Sequence, residues 1–250
     1  MHSTNPSNLS TPFLPLSRRQ SFYKDDSGEY ITPLRINIPI QQKENSNMYS
    51  LLMDALLTTD DDEYEYILNQ TDVQKSGNII LDIDGTLGDN IPKTFIENPV
   101  RFDNVVPIPR PGLKKFFAFV FANYERVSIW TAATPVWYSI FKEKILLPNM
   151  PTGATFHFER TRFPDESYVI LKPLAEIYAK YPEEYNESNT TIVDDNVETF
   201  RDNRANAVHI PSFFYDNMGG SPDTRRINAA KDRGLYTIME ILLARRKCGN

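Results

Sequence analysis

The 250-residue chain has a formal net charge of −6, 40% hydrophobic residues and a single cysteine, Cys248. The length allows one large domain or a smaller domain with a tail. The negative charge argues against nucleic acid as a partner, because nucleic-acid binding usually needs a basic face. The lone cysteine excludes an internal disulfide and is typical of a reducing compartment, nuclear or cytoplasmic. No apolar stretch approaches membrane-spanning length and no secretory signal is recognisable, so no membrane partner is expected.

The N-terminal part of the chain differs in composition from the rest. Residues 1–46 are rich in Ser, Asn, Pro, Gln and Thr, which predicts a disordered or loosely attached tail. Between residues 47 and 75, apolar residues at helical spacing from Leu51 to Leu56 predict a short helical lead-in. The acidic run at 60–63 is either a solvated turn or part of a docking segment for a partner.

From residue 76 to residue 250, strand-like and helix-like segments alternate. The predicted strands are Ile79–Leu81, Arg126–Trp130, Thr190–Val193 and Asn206–Ile210. The predicted helices are Leu113–Tyr124, Val136–Leu147 and Leu235–Arg246, and Tyr168–Tyr178 is expected to be a strand end that continues into a helix. This alternation predicts an α/β domain with a doubly wound, mostly parallel sheet.

Two aspartates, Asp82 and Asp84, directly follow the first predicted strand, and Gly85 ends the motif's extended part. Ligand sites of open α/β sheets lie at the carboxyl ends of the strands, and alternate side chains of an extended segment point the same way. Two close carboxylates repel each other unless a cation or a proton lies between them. The pair therefore predicts a divalent metal, a proton-transfer role, or both, and a solvent-exposed turn is the alternative.

The next predicted strands also end in residues of catalytic type. Thr131 follows the second strand, Asp194 and Asp195 follow the third, and Lys172 lies between them in the sequence. Four carboxylates at one rim would repel each other without a hard cation, and such oxygen ligands suit Mg²⁺. A lysine and a hydroxyl facing that metal would bind an anion with several oxygens, for which phosphate is the obvious candidate.

The ordered motifs of the chain resemble those of a known superfamily of phosphatases. The four motifs of the haloacid-dehalogenase (HAD) superfamily are matched, in order, by Asp82-Ile83-Asp84-Gly85-Thr86, Thr131, Lys172 and Asp194-Asp195. The stretches 110–132 and 193–210, which begin Arg110-Pro111-Gly112 and Val193-Asp194-Asp195, look more specifically like the FCP homology domain. That domain occurs in phosphatases that act on the C-terminal domain of RNA polymerase II, and the resemblance covers about residues 76–246.

Two positions depart from the pattern of FCP-type members. Gly85 stands where these proteins usually carry Glu, and Pro173 stands where the residue after the lysine is usually Asp. Both departures leave the catalytic residue types intact.

The resemblance implies roles for individual residues in a Ser/Thr phosphoprotein phosphatase, with the RNA polymerase II C-terminal domain as a candidate substrate and partner. Asp82 would attack phosphorus and form an aspartyl-phosphate. Asp84 would protonate the leaving oxygen and then activate water. Thr131 and Lys172 would bind the oxygens of the transferring group, while Thr86 would order the loop and contribute to substrate binding.

The resemblance also implies Mg²⁺ as the cofactor. The metal would be held by Asp82, the backbone carbonyl of Asp84, and Asp194 or Asp195, and the sequence leaves open which of the last two binds it directly. Two alternatives share these motifs. One is a small-metabolite or nucleic-acid-end phosphatase, and the other is a non-catalytic phosphopeptide-binding or scaffold protein.

The intervals between the motifs bear on the size of the substrate. HAD phosphatases for small metabolites commonly carry a mobile cap that closes over the site. Neither 87–110 nor 132–171 has room for a folded cap, and 87–110 is expected to hold only a short irregular segment with a strand-like stretch at Phe102–Val106. The sequence therefore predicts an uncapped rim that a side chain of another protein can reach, with residues 88–109 as one wall of the groove.

Overall fold

The computed structural model describes residues 52–57, 74–92, 105–161 and 171–247, all within one compact unit that spans 42–250. The tail predicted for residues 1–46, most of the lead-in to residue 75, and the strand end predicted before residue 171 lie outside the described residues. No helix in the described ranges has both the length and the apolar composition that crossing a bilayer requires.

In the part of the chain that the structure describes, seven strands form a parallel sheet and a separate hairpin. They are β1 (Asn78–Leu81), β2 (Gly88–Pro92), β3 (Val105–Pro109), β4 (Arg126–Trp130), β5 (Glu159–Arg160), β6 (Thr190–Asp194) and β7 (Ala207–His209). The main sheet has the order β5-β4-β1-β6-β7, and all of its neighbours are parallel. β2 and β3 pair with each other in antiparallel orientation.

The central strand β1 is buried along its whole length. A near-continuous apolar run is what a parallel strand needs when helices cover both faces of the sheet. Its last residue, Leu81, is level with Ile129 of β4 and Val193 of β6. The residues that follow these three strands therefore emerge side by side at the same edge.

Six helices are present in the described residues. They are α1 (52–57), α2 (Leu113–Asn123), α3 (135–149), α4 (Leu174–Lys180), α5 (Pro222–Ala230) and α6 (Gly234–Lys247). α3 is α-helical except for a π-helical turn at Lys142–Leu146. Ile79 and Leu81 pack with side chains of α2, α3 and α6, whereas Ile80 packs with those of α4 on the opposite face. This alternation confirms a sheet covered by helices on both sides.

The strands and helices predicted from residue 76 onward are confirmed wherever the structure describes them. The segment 87–110 is more regular than expected, because it contributes both strands of the β2–β3 hairpin. β2 reads Gly-Asp-Asn-Ile-Pro, a composition that disfavours strands, so the pairing is decided by tertiary contacts. Ile91 and Ile108 of the hairpin pack against Leu52 and Leu56 of α1 in a separate core cluster.

Helix α5 was not predicted, although its start carries a recognisable signal. Ser221 is its N-cap, with a side-chain oxygen that accepts from Thr224 N, and Pro222 occupies the first turn. Serine followed by proline is a common helix start. The helix has few buried residues, so the hydrophobic periodicity on which the prediction relied is weak there.

Candidate active site

A tight loop after β1 carries the first two aspartates. The backbone oxygen of Ile83 accepts hydrogen bonds from the N–H groups of Thr86 and Leu87, at 3.0 and 2.9 Å. Gly85 adopts a φ of 82°, in the left-handed region that favours glycine. A Cβ at this position would also collide with the carboxylate of Asp195. The glycine that departs from the FCP pattern is therefore matched to the place that Asp195 occupies.

Three carboxylates and one ammonium group meet at the carboxyl ends of β1 and β6. Asp82, Asp194 and Asp195 each offer an oxygen, and these oxygens lie within 4.8 Å of one another. Lys172 Nζ lies 2.5 Å from Asp82 Oδ1 and 2.6 Å from Asp194 Oδ2. The exposed fractions of the four residues are between 1% and 7%. The cluster is thus buried and holds two more negative than positive formal charges.

The surroundings shift the proton affinities of this cluster. Burial raises the pKa of Asp82 well above its ordinary value, and the neighbouring carboxylates of Asp194 and Asp195 add to the rise, although Lys172 opposes it. Burial alone would lower the pKa of Lys172, but the carboxylates of Asp194 and Asp82 outweigh it and the pKa is raised. Lys172 is therefore a fixed positive charge at neutral pH.

Thr86 connects the loop after β1 with the loop after β6. Its hydroxyl donates to Asp82 Oδ2 at 3.2 Å and accepts from Asp195 N at 3.1 Å. With no exposed surface, Thr86 fixes the position of Asp82 relative to the second loop.

Asp84 and Thr131 lie at the same edge but outside the acidic cluster. Asp84 is half-buried, and its Oδ1 accepts a hydrogen bond from Nε1 of Trp137 at 3.2 Å. Thr131, 2% exposed, follows β4, and its hydroxyl oxygen accepts from Ala133 N at 3.0 Å. A hydroxyl that accepts in this way can still donate its own hydrogen to a ligand oxygen.

A buried arginine, Arg110, holds the loop that follows β1. Its role was not predicted, although Arg110 lies in a stretch used for the family resemblance. Its guanidinium donates to the backbone oxygens of Gly85 and Thr86, at 3.1 and 3.4 Å. It also forms a two-point ion pair with Asp232, at 2.7 and 2.9 Å. Because the guanidinium presents its donors in a fixed fork, it fixes the loop against the start of α6.

The backbone around Lys172 is held by a turn that follows β6. Lys172 N donates to Thr199 O at 2.7 Å, and the Asn203 side chain donates to Lys172 O at 2.8 Å. Asn203 also accepts from Leu174 N at 3.2 Å. The contact joins positions 31 residues apart, and no local sequence pattern indicates it.

Comparisons with known proteins relate the chain to one family of phosphatases. The profile of the NLI interacting factor-like phosphatase family (NIF) matches residues 78–240. An Arabidopsis thaliana ubiquitin-like domain-containing CTD phosphatase is 30% identical over 158 residues, which cover 61% of this chain and 44% of that protein. The Danio rerio ubiquitin-like domain-containing CTD phosphatase 1 is 29% identical over 170 residues, covering 66% and 48%. The chain spans about half the length of these curated relatives.

A solved structure of a fission yeast RNA polymerase II CTD phosphatase, Fcp1, bound to beryllium fluoride, is similar at 16% identity and a TM-score of 0.43, over 72% of this chain and 54% of that one. The family profile extends from the first residue of β1 into α6 and so includes every residue of the acidic cluster. The chain therefore belongs to the NLI interacting factor-like phosphatase family.

Proposed function

We propose that the chain is a metal-dependent phosphatase that hydrolyses phosphoserine or phosphothreonine esters of proteins through an aspartyl-phosphate intermediate. The observation that carries the proposal is the buried cluster in which Lys172 contacts both Asp82 and Asp194, with Asp195 beside them. A buried surplus of negative charge lowers the stability of the folded protein unless a cation balances it, so such a surplus is typical of a site that binds a cation or carries out a reaction. Its position at the carboxyl ends of parallel strands is where α/β folds bind ligands.

In the first step, a carboxylate oxygen of Asp82 forms a bond to phosphorus while the bond from phosphorus to the serine or threonine oxygen breaks. Asp84 donates a proton to that leaving oxygen and becomes a carboxylate. Lys172 and the Thr131 hydroxyl bind oxygens of the transferring group and stabilise the charge that develops there. The products of this step are the alcohol side chain and an acyl phosphate on Asp82.

In the second step, Asp84 removes a proton from a water molecule whose oxygen attacks phosphorus. The bond between phosphorus and Asp82 breaks, so the carboxylate of Asp82 is restored and inorganic phosphate is released. Asp84 ends the cycle protonated. Both oxygens of Asp82 have partners, Lys172 Nζ on Oδ1 at 2.5 Å and the Thr86 hydroxyl on Oδ2 at 3.2 Å, so the orientation of the nucleophile is fixed.

The residues of the cluster fit a hard divalent cation. Asp82, Asp194 and Asp195 each offer a carboxylate oxygen as a metal ligand, the type of ligand that Mg²⁺ prefers. A divalent cation would also balance the surplus of two negative charges. We assign Asp82, Asp195 and the backbone carbonyl of Asp84 as its ligands. When bound, Mg²⁺ would neutralise charge between the nucleophile and the phosphate.

The structure gives a reason to separate the roles of the two adjacent aspartates. Both oxygens of Asp194 have partners, since Oδ2 contacts Lys172 Nζ at 2.6 Å and Oδ1 accepts from Asn196 N at 2.8 Å. Asp194 is therefore proposed to orient Lys172. Asp195 has its carboxylate against Gly85, on the loop that carries the nucleophile, and is proposed as the direct metal ligand.

The substrate class is supported by the open rim and by the relatives. Among the described residues, the intervals after the first motif and after Thr131 contain the β2–β3 hairpin and α3 with β5, and no additional folded layer. Such a rim admits a phosphorylated side chain on another protein. The relatives from Arabidopsis and Danio are named CTD phosphatases, so phosphoserine peptides of the RNA polymerase II tail are the first substrates to test.

The experiment compares p-nitrophenyl phosphate, a panel of phosphoserine peptides, and a panel of nucleotides and sugar phosphates, each with Mg²⁺ and with EDTA. We expect Mg²⁺-dependent turnover and a higher kcat/KM on peptides than on metabolites. One metabolite hydrolysed far faster than every peptide would instead indicate a small-molecule phosphatase. Tight peptide binding without metal-dependent turnover would indicate a scaffold.

A further inference from the structure

The indole of Trp137 contacts Asp84, the residue to which the proposed reaction gives the proton transfers. Trp137 Nε1 lies 3.2 Å from Asp84 Oδ1, and the tryptophan is 7% exposed. An indole N–H can only donate a hydrogen bond, so the contact fixes Oδ1 as an acceptor. The transferable proton is then directed to the other oxygen of the carboxyl group, Oδ2.

The position of Trp137 is fixed by the start of α3. Thr134 is the N-cap, with a side-chain oxygen that accepts from Trp137 N at 3.3 Å, and Pro135 is the first helical residue. Proline at this position presets the helical backbone. The indole packs edge-on against Phe141, with ring centroids 6.2 Å apart. The donor therefore has a set orientation before any substrate binds.

The segment that joins β4 to α3 also supplies a second group of the site. It begins at Thr131, directly after β4, and reaches Trp137 within six residues. The hydroxyl proposed to bind the phosphoryl oxygens and the indole that contacts Asp84 are thus placed by one short segment. A shift of this segment would move both groups together, which links phosphate binding with the placement of the general acid.

We propose that Trp137 is a positioning residue that holds the carboxyl group of Asp84 so that its protonated oxygen faces the leaving oxygen of the substrate. This inference rests on the proposed function, since it assigns Trp137 to the acid step of that reaction. Without the indole donor the Asp84 carboxyl group loses a hydrogen bond that orients it, and the proton is aligned with the leaving oxygen less of the time. The bond to phosphorus then breaks less often for each substrate bound.

The proposal predicts a dependence on the leaving group. The alkoxide of serine is strongly basic and must receive a proton as its bond to phosphorus breaks, whereas p-nitrophenolate leaves with little protonation. The variant Trp137→Phe keeps an aromatic ring against Phe141 but lacks the donor. We expect kcat/KM on a phosphoserine peptide to fall about tenfold to a hundredfold, a part of the total contribution of a general acid. On p-nitrophenyl phosphate, kcat/KM should stay within about threefold. Because kcat/KM reports only the first step, the second step, in which Asp84 acts as the base for both substrates, does not affect the comparison.

A matched control is available one residue further along α3. Tyr138→Phe also removes one side-chain hydrogen bond, the one from the tyrosine hydroxyl to Glu159, and leaves the contact with Asp84 in place. We expect both substrates to be hydrolysed by this variant at rates near those of the wild type. A double-mutant cycle adds a second test, because Trp137→Phe should have no further effect on the peptide in an Asp84→Asn background if it acts through Asp84.

The outcomes separate this inference from the proposed function. No metal-dependent turnover by the wild type would overturn the proposed function itself. An active wild type with equal losses of kcat/KM on both substrates in Trp137→Phe would overturn the positioning role, as would additive losses in the cycle. Should Trp137→Phe fail to fold in a thermal unfolding test, β-(3-benzothienyl)alanine at position 137 replaces it, because sulfur takes the place of the N–H group in a ring of nearly equal shape.

Discussion

Two basic side chains are almost completely buried in the described part of the chain, Lys172 at 2% exposure and Arg110 at 1%, and their surroundings differ. Arg110 meets a single carboxylate, Asp232, and backbone oxygens, so that its charge is matched and its donors are used. Lys172 lies among three carboxylates. The matched pair is suited to holding a loop, whereas the unmatched cluster is suited to binding a cation and an anionic substrate. Burial of an ion pair alone does not indicate catalysis, but an imbalance of charge at the ends of strands does.

The largest effect is expected in the unmatched cluster. Asp82→Asn keeps the size of the side chain but removes the attacking carboxylate, so phosphatase activity should fall by about 10⁴-fold or more. The free energy of unfolding should not decrease, because the substitution removes a negative charge from a site that has a surplus of negative charge. Activity on p-nitrophenyl phosphate and a urea unfolding curve measure the two quantities.

Beryllium fluoride provides the control for the nucleophile. Fluoride complexes of beryllium or aluminium should inhibit the wild type by occupying the phosphoryl position, and the variant should not bind them in the same way. Near-normal turnover by Asp82→Asn would show that the reaction does not pass through an acyl phosphate on this residue.

The opposite pattern is expected for the matched pair. Asp232→Asn leaves the guanidinium of Arg110 buried without its countercharge, which should lower the free energy of unfolding by about 3 kcal/mol. The control is Glu125→Gln, which breaks the solvent-exposed ion pair with Arg126 and should change stability by no more than about 0.5 kcal/mol. Equal, small changes in both variants would mean that the Arg110 pair does not hold the loop more firmly than a surface pair would.

The roles proposed for the two adjacent aspartates, Asp194 and Asp195, can be tested separately. Asp195→Asn should raise the Mg²⁺ concentration needed for half-maximal activity by about tenfold, because it weakens a proposed direct ligand. Asp194→Asn should instead lower kcat at saturating Mg²⁺, because Lys172 loses one of the carboxylates that orient it. Mg²⁺ titrations of both variants test the division, and the reverse pattern would exchange the roles of the two residues.

The fold was largely predictable because its core strands are short apolar runs that end in polar residues. β1, β4 and β6 were recognised from this contrast, and the order of their terminal residues indicated a common site. The sequence could not indicate Asn203 or Trp137, whose contacts with Lys172 and Asp84 join positions 31 and 53 residues apart. Strand β2 was missed for a related reason, since its pairing with β3 overrides the low strand propensity of its residues, whereas β3 overlaps the strand-like stretch predicted at Phe102–Val106.

Asp89 is a buried ionisable side chain outside both of these sites, and it tests what burial costs when hydrogen bonds are the main compensation. Burial raises the pKa of Asp89 to about 7, although the N–H groups of Tyr215 and Asn90 oppose the rise. Its pKa in the folded protein is thus higher than in the unfolded chain, so the folded state binds the proton more tightly between about pH 4 and pH 7. Stability contributed by this group is present at low pH and is lost as the pH rises through that interval.

Asp89→Asn cannot ionise and should therefore separate from the wild type as the pH increases. The cost of accommodating the amide group does not depend on pH. We therefore expect the stability difference between the two proteins to shift in favour of the variant by about 4 kcal/mol between pH 4 and pH 8, as linkage requires for a pKa of about 7 in the folded protein. Urea unfolding curves between pH 4 and pH 8 measure the difference, with the exposed Asp202→Asn as the control. A stability difference between Asp89→Asn and the wild type that did not change with pH would contradict the raised pKa. Asp89 would then be ionised in the folded protein at little cost in free energy, and its charge would be as well compensated as that of the Arg110–Asp232 pair.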